Sequence, residues 1–517
     1  MDPRLDQHNR PLPYLVWGTL AAAFLAVWVS ACQRSAPASA TAPTVLTIGT
    51  AFPPMIDPSV GTRAVALGLT AESAVSIGQD GRPVPRAADW TWASDRLGLT
   101  LHLKPGIKFH DGTPLTNTIA AEILRKALVQ KKGGVSTTVN SIEAVGPSDI
   151  LVRTSQPEGF LLSDLAANDF RLPGNPTVSI GPFKMESNGA PIVLRAFDDY
   201  RLGRPKIDQI EIRAYATQRA SWVALMRGEI NMLHDVSRDG VEFVEAESSL
   251  QTHSFLRPYY VALAFNLRHP ILGKKEVRQA LNEAVNRDQI INTAMRKRAD
   301  TANGPVWPQH WAYVPGGKGY SQDADSARMR LDAVGLTEGR EQSAGGMPSR
   351  FHFTCLVPSD APQFDRIALL LQKQLFDVGV DMEVELASFS DITVKRLQSG
   401  QFDAALIEFT SSRSLSYNYL FWHSPPPGAK PMLNTGYKAA DDALDRLRKA
   451  ISDDEVRSAV ADLQQTMHDD PPALFLAWTK IARALSKDFL VPDEGQRDIL
   501  GTIRLWQPLS PQQRAAR

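Results

Sequence analysis

From Leu97 to Leu128 the chain changes its hydrophobic period once, and that change predicts a compact unit. Leu97, Leu99, Leu101 and Leu103 alternate with Gly98, Thr100, His102 and Lys104, the period-2 pattern of a half-buried strand. Lys104-Pro105-Gly106 predicts a turn and Ile107 to Phe109 a short return strand. Asp111-Gly112 and Pro114 predict a second turn. Beyond polar caps at Thr116 to Thr118, Ile119, Ile123, Leu124, Ala127 and Leu128 recur at helical spacing.

The same arguments extend along the chain. Strands are expected at Val45 to Phe52, Val139 to Val145, Asp149 to Arg153, Ile192 to Ala196, around Ile210 and Ile212, at Tyr259 to Asn266, at Phe402 to Phe409 and at Leu474 to Trp478. Gly61 to Val75 is a helix or an irregular loop. Helices are expected from about Gln218 to Arg227, closed by Gly228, from Glu276 to Asn286, and near Ile392 to Gln398, closed by Gly400. Phe351 to Val357, Pro362 to Phe376 and Val380 to Leu386 read as strand, helix, strand, which implies a parallel pair with a right-handed crossover. Leu444, Leu447 and Ile451 mark one late helix. Ser452 to Glu455 is a capping box that opens another. Alone, these patterns give a mixed α/β chain of several domains.

Composition narrows the function classes. The 517 residues suffice for two or three domains. Net charge is zero, so nothing points to a nucleic-acid partner. Two cysteines exclude a disulfide framework. Cys355 shares a strand face with Phe351 and Phe353 and reads as a buried, inert thiol. Cys32 differs. Arg4 and Arg10 precede an apolar run from Tyr14 to Val29, ending Val29-Ser30-Ala31-Cys32, which has the three regions of a secretory signal. A Cys after Val-Ser-Ala resembles the bacterial lipobox, making Cys32 the expected lipidation site and mature N-terminus. An uncleaved anchor helix is the alternative. Residues 33–44, rich in Ser, Ala, Pro and Thr, then read as a flexible tether.

Catalytic constellations are lacking. The sequence holds no G-x-S-x-G, H-E-x-x-H or G-x-x-x-x-G-K-[ST] motif. The ten histidines are dispersed, and His102 and His110, beside turns, read as solvated rather than ligating. Acidic pairs such as Asp441-Asp442 and Asp453-Asp454 fall where they favour helix starts. No enzyme, metal or cofactor is expected.

One run is specific. Gly106-Ile107-Lys108-Phe109-His110-Asp111-Gly112-Thr113-Pro114-Leu115-Thr116, preceded by Asp80-Gly81 and by Ala87-Ala88-Asp89-Trp90, resembles the signature of solute-binding protein family 5, the peptide- and nickel-type receptors of ABC importers. Val277-Arg278-Gln279-Ala280-Leu281-Asn282-Glu283-Ala284-Val285-Asn286-Arg287 is similar to a second family block, in which Arg278 and Arg287 read as surface or structural ion-pair partners. Ile56-Asp57-Pro58 also matches the family, Gly203 to Asp208 is well matched, and at Gly181-Pro182-Phe183 only the Gly-Pro-aromatic part of the pattern survives. Leu67 to Ser73 departs from the family pattern.

The resemblance implies a periplasmic-binding-protein type II-like α/β fold, with two mixed-sheet lobes around a cleft and a small inserted domain. The implied division is 1–32 signal peptide, 33–44 tether, 45–78, 176–262 and 486–517 the first lobe, 79–175 the inserted domain, and 263–485 the other lobe. It also implies a peptide or other small-molecule ligand, an ABC permease and ATPase as partners, a monomer, and a periplasmic or cell-surface location on a lipid anchor. In peptide-binding members a Trp and then an Asp follow the strand matched by Phe402 to Phe409, and the Asp holds the peptide's amine. Here Glu408 precedes Phe409 at the Trp position, Ser412 stands where the Asp would be, and Arg413 follows. Losing such a charge-assisted contact costs about 1.5–3 kcal/mol, so a nickel chelate, oligosaccharide or opine competes with peptide as ligand. A sensor or scaffold with a degenerate cleft is the further alternative. Trp422, Trp478 and Thr62 complete the expected cleft residues.

Overall fold

The computed structural model describes residues 43–53, 56–129, 138–316, 319–342, 346–425, 428–492, 497–510 and 512–513. Cys32, the signal segment and residues 33–42 of the tether lie outside them. From Thr44 onward the chain forms one compact unit.

Its frame is a mixed sheet of eleven strands: β1 (Val45–Thr50), β2 (Phe183–Ser187), β3 (Ile192–Ala196), β4 (Gln209–Ala214), β5 (Met232–Val236), β6 (Leu250–Phe265), β7 (Ala299–Thr301), β8 (Phe351–Pro358), β9 (Val380–Ala387), β10 (Ala404–Thr410) and β11 (Ala473–Ser486). The spatial order is β9-β8-β10-β6-β11-β5-β1-β4-β3-β2, with β7 also pairing β11. β8 and β9 are parallel, as the strand-helix-strand pattern requires. β1 runs parallel to both β4 and β5.

Two strands are far longer than their periodicity suggests. β6 has 16 residues and β11 has 14, so at about 3.3 Å per residue each runs some 45–55 Å. They pair with each other from Leu250↔Ser486 to Ala264↔Ala473. The early part of β6 faces β11 alone, whereas Tyr259 to Phe265 also pairs with β10. Register slips between Leu256 and Tyr260, around Pro258. A proline inside a central strand has no N–H for the ladder and belongs at a bulge. The carbonyl of Pro258 instead accepts from Ser411 N–H at 2.9 Å and from Thr410 Oγ1 at 3.2 Å.

Beyond the bulge, β6 is buried on both faces. Val261, Leu263 and Phe265 join one apolar cluster with Phe351, Phe353 and the fully buried Cys355. Tyr260, Ala262 and Ala264 join another with Phe409, Trp422 and Trp478. Burial pushes the Cys355 thiol up to about 12, so it is inert as expected. β1 and its neighbours pack a separate cluster around Leu46, Ile48, Phe183 and Trp506.

The signature unit is a four-stranded antiparallel sheet of Ala88–Trp92, Gly98–Leu103, Asp149–Thr154 and Val139–Val145, covered by the helix Asn117–Val129. The return strand expected at Ile107 to Phe109 is absent. The segment folds back on itself through the single bridge Lys108↔Pro114, with Phe109 N–H donating to Thr113 O at 2.8 Å and Leu115 N–H to Ile107 O at 2.9 Å, and joins no sheet. His110 is also not solvated as the sequence suggested: its Nδ1 accepts from Ser179 N–H at 3.2 Å and its Nε2 donates to Gly181 O at 3.0 Å.

Arg278 and Arg287 are interior groups, not surface ones. Arg278 pairs with Asp470 and donates to the carbonyls of Pro471 and Leu272. Arg287 has no carboxylate partner among the described residues and donates to Phe475 O, Asn282 O, Asn282 Oδ1 and Tyr320 O.

The four-stranded unit docks on the β8–β10 half. Trp307 Nε1–H donates to Gln79 O at 3.0 Å and Trp311 N–H to Asp80 O at 2.9 Å. Arg82 lies 4.0 Å over the Trp311 ring and pairs with Asp453 at 3.0 Å. Arg96 pairs with Glu455 at 2.9 Å, and Arg448 with the fully buried Glu158 at 3.0 Å. Gly159 N–H donates to Arg448 O at 2.6 Å.

This contact contains an acid-labile group. His310 is 6% exposed, its Nδ1 accepts from Ala312 N–H, and burial lowers its pKa to about 4. The unfolded imidazole titrates near 6.5, so the neutral form is favoured on folding. The resulting stability is full above pH 6.5 and is lost as pH falls toward 4, about 2 kcal/mol at pH 5. Thermal unfolding at pH 7.5 and 5.0 should therefore show a smaller acid-induced drop for His310→Gln than for the parent. Equal drops would remove His310 from the account.

Candidate functional site

Where β6 bulges at Pro258, the sheet opens a cavity of about 280 Å³ lined by Ile77, Pro258, Tyr259, Thr410, Ser412, Arg413 and Tyr417. Ser412 and Arg413 belong to the loop that follows β10. Ser412 (φ 56°) and Leu415 (φ 65°) both hold left-handed backbone, a conformation costly for side-chain-bearing residues that persists where surroundings enforce it. Hydroxyl contacts Ser412–Ser414 at 2.9 Å and Ser414–Ser416 at 3.1 Å fix the loop from one side. On the other, Gly81 approaches so closely that a Cβ there would lie 2.4 Å from Arg413 O.

The cavity abuts a charged cluster at the crossing of the long strands. Arg257 Nη2 donates to Glu408 Oε1 at 2.8 Å and to Thr479 Oγ1 at 3.0 Å, and that hydroxyl donates to the same Glu408 oxygen at 2.9 Å. The guanidinium lies 4.8 Å over the Tyr259 ring, so cluster and cavity share a wall. Arg483 makes a two-pronged pair with Asp498 at 2.6 and 2.7 Å and also donates to His234 O. Burial beside Arg483 holds His234 neutral, its pKa lowered to about 3.

Three charges stand outside these pairs. Burial pushes the Asp235 carboxyl up, against the pull of Arg257, Arg483 and Arg238. It pushes the Arg238 guanidinium down despite Glu408 nearby. Arg413 is likewise lowered by burial, against the pull of Asp498, and its Nε is buried with no hydrogen-bond partner among the described residues. By solvent exposure all three side chains are half-buried, and of the three Arg413 lines the cavity.

The expected site residues divide by this geometry. Ser412 and Arg413 line the cavity and Glu408 anchors the adjoining cluster. Phe409, Trp422 and Trp478 lie behind, gathered on Tyr260. Phe409 stacks on it at 5.6 Å, Trp478 meets it edge-on at 5.1 Å, and Trp422 Nε1–H donates to its hydroxyl at 2.9 Å. Trp478 also borders a second cavity, of about 320 Å³, with Tyr313, Gln464 and His468. Thr62 is buried against Thr50, hydroxyl to hydroxyl at 2.8 Å. Asp235, Arg238, Arg257, Tyr259 and Tyr417 were not anticipated. The available signals were an Arg-Pro step inside an apolar strand and a His-Asp pair ending one. Among the described residues, no group of three or more His, Cys, Asp or Glu is placed to hold a metal ion, and no helix is long and apolar enough to cross a membrane.

Comparison with known proteins agrees with this architecture. Residues 83–430 match the model of the bacterial extracellular solute-binding proteins, family 5 (middle). The oligopeptide-binding protein AppA of Bacillus subtilis (strain 168) is 25% identical over 455 residues, 79% of this chain and 81% of that one. The dipeptide-binding protein of Escherichia coli (strain K12) is 21% identical over 525 residues, 92% of this chain and 93% of the other. Among solved structures, NikZ from Campylobacter jejuni in complex with Ni(L-His) superposes with a TM-score of 0.72 at 19% identity, covering 90% of this chain and 99% of that one.

Proposed function

The chain belongs to the bacterial extracellular solute-binding proteins, family 5, and on that premise we propose that it captures a small peptide in the cavity at the β6 bulge. Members of this family are extracytoplasmic solute-binding components of ABC importers and not enzymes. The observation that carries the peptide reading is the cavity itself: Tyr259 and Tyr417 offer apolar walls, and Thr410, Ser412 and Arg413 offer polar groups for an amide chain and its ends. A volume of about 280 Å³ accommodates a di- or tripeptide. Relatives named for oligopeptide and dipeptide binding support the same class.

In this reading 45–78, 176–262 and 486–517 act as one lobe, 263–485 as the other, and 79–175 as the inserted domain that docks across them. Closure is then stabilised by the ligand's differential affinity for the closed form. The Val29-Ser30-Ala31-Cys32 pattern supports a lipid anchor on Cys32. Cys32→Ser should move the protein from the membrane fraction to the soluble one, and an unchanged distribution would reject the anchor.

The test is thermal unfolding with a panel of di- and tripeptides, a maltooligosaccharide and a nickel–histidine complex. A ligand bound only by the folded state at a hundred times its Kd adds about 2.7 kcal/mol of stability. Stabilisation by peptides, weakened in Arg413→Met, is expected. The second reading, a non-peptide solute, is favoured by Ser412 and Arg413 standing where peptide-binding members place an Asp. Stabilisation by the sugar or the nickel complex alone would establish it instead.

A further inference from the structure

The lining of the cavity at the Pro258 bulge carries one formal charge, and that charge is positive. Ile77, Pro258, Tyr259, Thr410, Ser412 and Tyr417 are neutral, and Arg413 is the cation beside them. No carboxylate belongs to this lining among the described residues. The Arg413 Nε is buried with no hydrogen-bond partner among those residues. Asp498, whose field reaches Arg413, is already held by Arg483 in its two-pronged pair.

The other polar groups nearby have partners. Thr410 Oγ1 donates to Pro258 O at 3.2 Å and accepts from Ser412 N–H at 3.2 Å. The Ser412 hydroxyl is joined to that of Ser414 at 2.9 Å. Beyond the lining, Glu408 Oε1 accepts from Arg257 and Thr479, and Asp239 pairs with Arg296. Asp235 has Arg257, Arg483 and Arg238 around it. A ligand's ammonium thus meets no carboxylate in the cavity wall, whereas a ligand's carboxylate meets a guanidinium with N–H donors to spare. The loop also holds Arg413 in place beforehand. Ser412 is left-handed, Leu415 N–H donates to Ser412 O at 3.3 Å, and Gly81 packs against the Arg413 carbonyl. A backbone already ordered lowers the cost of binding.

We propose that the cavity recognises its ligand by a carboxylate set on Arg413 and does not read the amine, so that its substrate class includes N-acylated amino acids and N-blocked dipeptides beside free dipeptides. This deepens the peptide reading and rests on it for the amide body of the ligand. Tyr259 and Tyr417, 38% and 39% exposed, supply apolar surface for the side chain next to that carboxylate. A free ammonium adds a second cation to a cavity that already holds one, so blocking it removes a repulsion rather than a contact.

Calorimetric titration of the purified protein with Ala-Leu, N-acetyl-Ala-Leu, Ala-Leu amide and phenylacetate tests this. N-acetyl-Ala-Leu should bind at least as tightly as Ala-Leu. Ala-Leu amide should bind about ten- to a hundred-fold more weakly. On Arg413→Met, Ala-Leu should fall to the affinity of its amide, while the amide keeps the affinity it has for the parent. A loss shared equally by both ligands would mean that Arg413 only shapes the loop, and would overturn the proposal. Equal affinity of the parent for Ala-Leu and its amide, or a tenfold loss on acetylation, would overturn the carboxylate selection and keep the peptide reading. Binding of phenylacetate alone would keep the carboxylate selection and overturn the peptide reading. Silence from every probe would overturn both.

Discussion

Arg287→Met lowers the stability of the β8–β10 half by about 3–5 kcal/mol. Arg287 is 6% exposed and has no carboxylate partner among the described residues; burial lowers its pKa to about 10. What holds it is a set of carbonyls: Phe475 O at 2.7 Å on β11, and Asn282 O at 3.2 Å and Oδ1 at 2.7 Å on the helix Lys275–Ala284. It therefore rivets that helix to the long strand that crosses the sheet. Methionine fills the space but leaves those oxygens dry and unpaired, and each buried acceptor so stranded costs about 1–3 kcal/mol. Arg287→Lys keeps the charge but cannot reach all of these oxygens, so it falls between. Urea unfolding followed by tryptophan fluorescence measures the difference. A loss under about 1 kcal/mol for the methionine variant would mean that water replaces the guanidinium.

Gly159→Ala should weaken ligand binding about five- to a hundred-fold with little effect on unfolding of either sheet half. A Cβ at Gly159 would lie 2.1 Å from Ala450 O and 3.0 Å from Arg448 O, and both are backbone atoms that cannot rotate aside. The four-stranded unit must then stand off from the β8–β10 half, which loosens the buried Glu158–Arg448 pair and the Arg82–Trp311 stack. The same docking brings Gly81 against the Arg413 carbonyl. Moving the unit thus frees the loop that presents Arg413 to the cavity. Calorimetry with the best-binding peptide from the panel reads the effect. Unchanged affinity would show that docking and binding are independent.

Much of this fold is legible in the sequence where the signal is local. The alternation at Ile192 to Ala196 and at Asp149 to Arg153 reports real strands. Ser452 and Glu455 cap the helix Asp453–Asp469 reciprocally, as their spacing demands. Gly228 and Gly400 end their helices with φ of 68° and 74°. The signal fails where neighbours are distant. β6 reads as eight residues because Arg257-Pro258 and the polar Thr252, His253 and Ser254 break its pattern, yet β11 pairs along nearly all of it. The helix expected near Ile392 to Gln398 is a wider, π-type turn over Asp391–Arg396 with only Leu397–Ser399 in α geometry.

The site divides the same way. Ser412 and Arg413 were reachable because a family pattern marks the loop after β10. The Arg257–Glu408 contact spans 151 residues and the Arg257–Thr479 contact 222. Asp235 and Arg238 acquire their meaning only when β5 is laid beside β11. Until then they read as ordinary strand-end charges.

The central claim, that the cavity at the Pro258 bulge holds a small solute, is tested most directly by native mass spectrometry. The purified protein is incubated with a tryptic-peptone digest, freed of excess by rapid gel filtration, and weighed intact beside Arg413→Met and the surface control Lys373→Met. The account predicts a one-to-one adduct of di- or tripeptide mass on the parent and the control, diminished on Arg413→Met. An adduct of equal occupancy on all three proteins, or none on any, would contradict it.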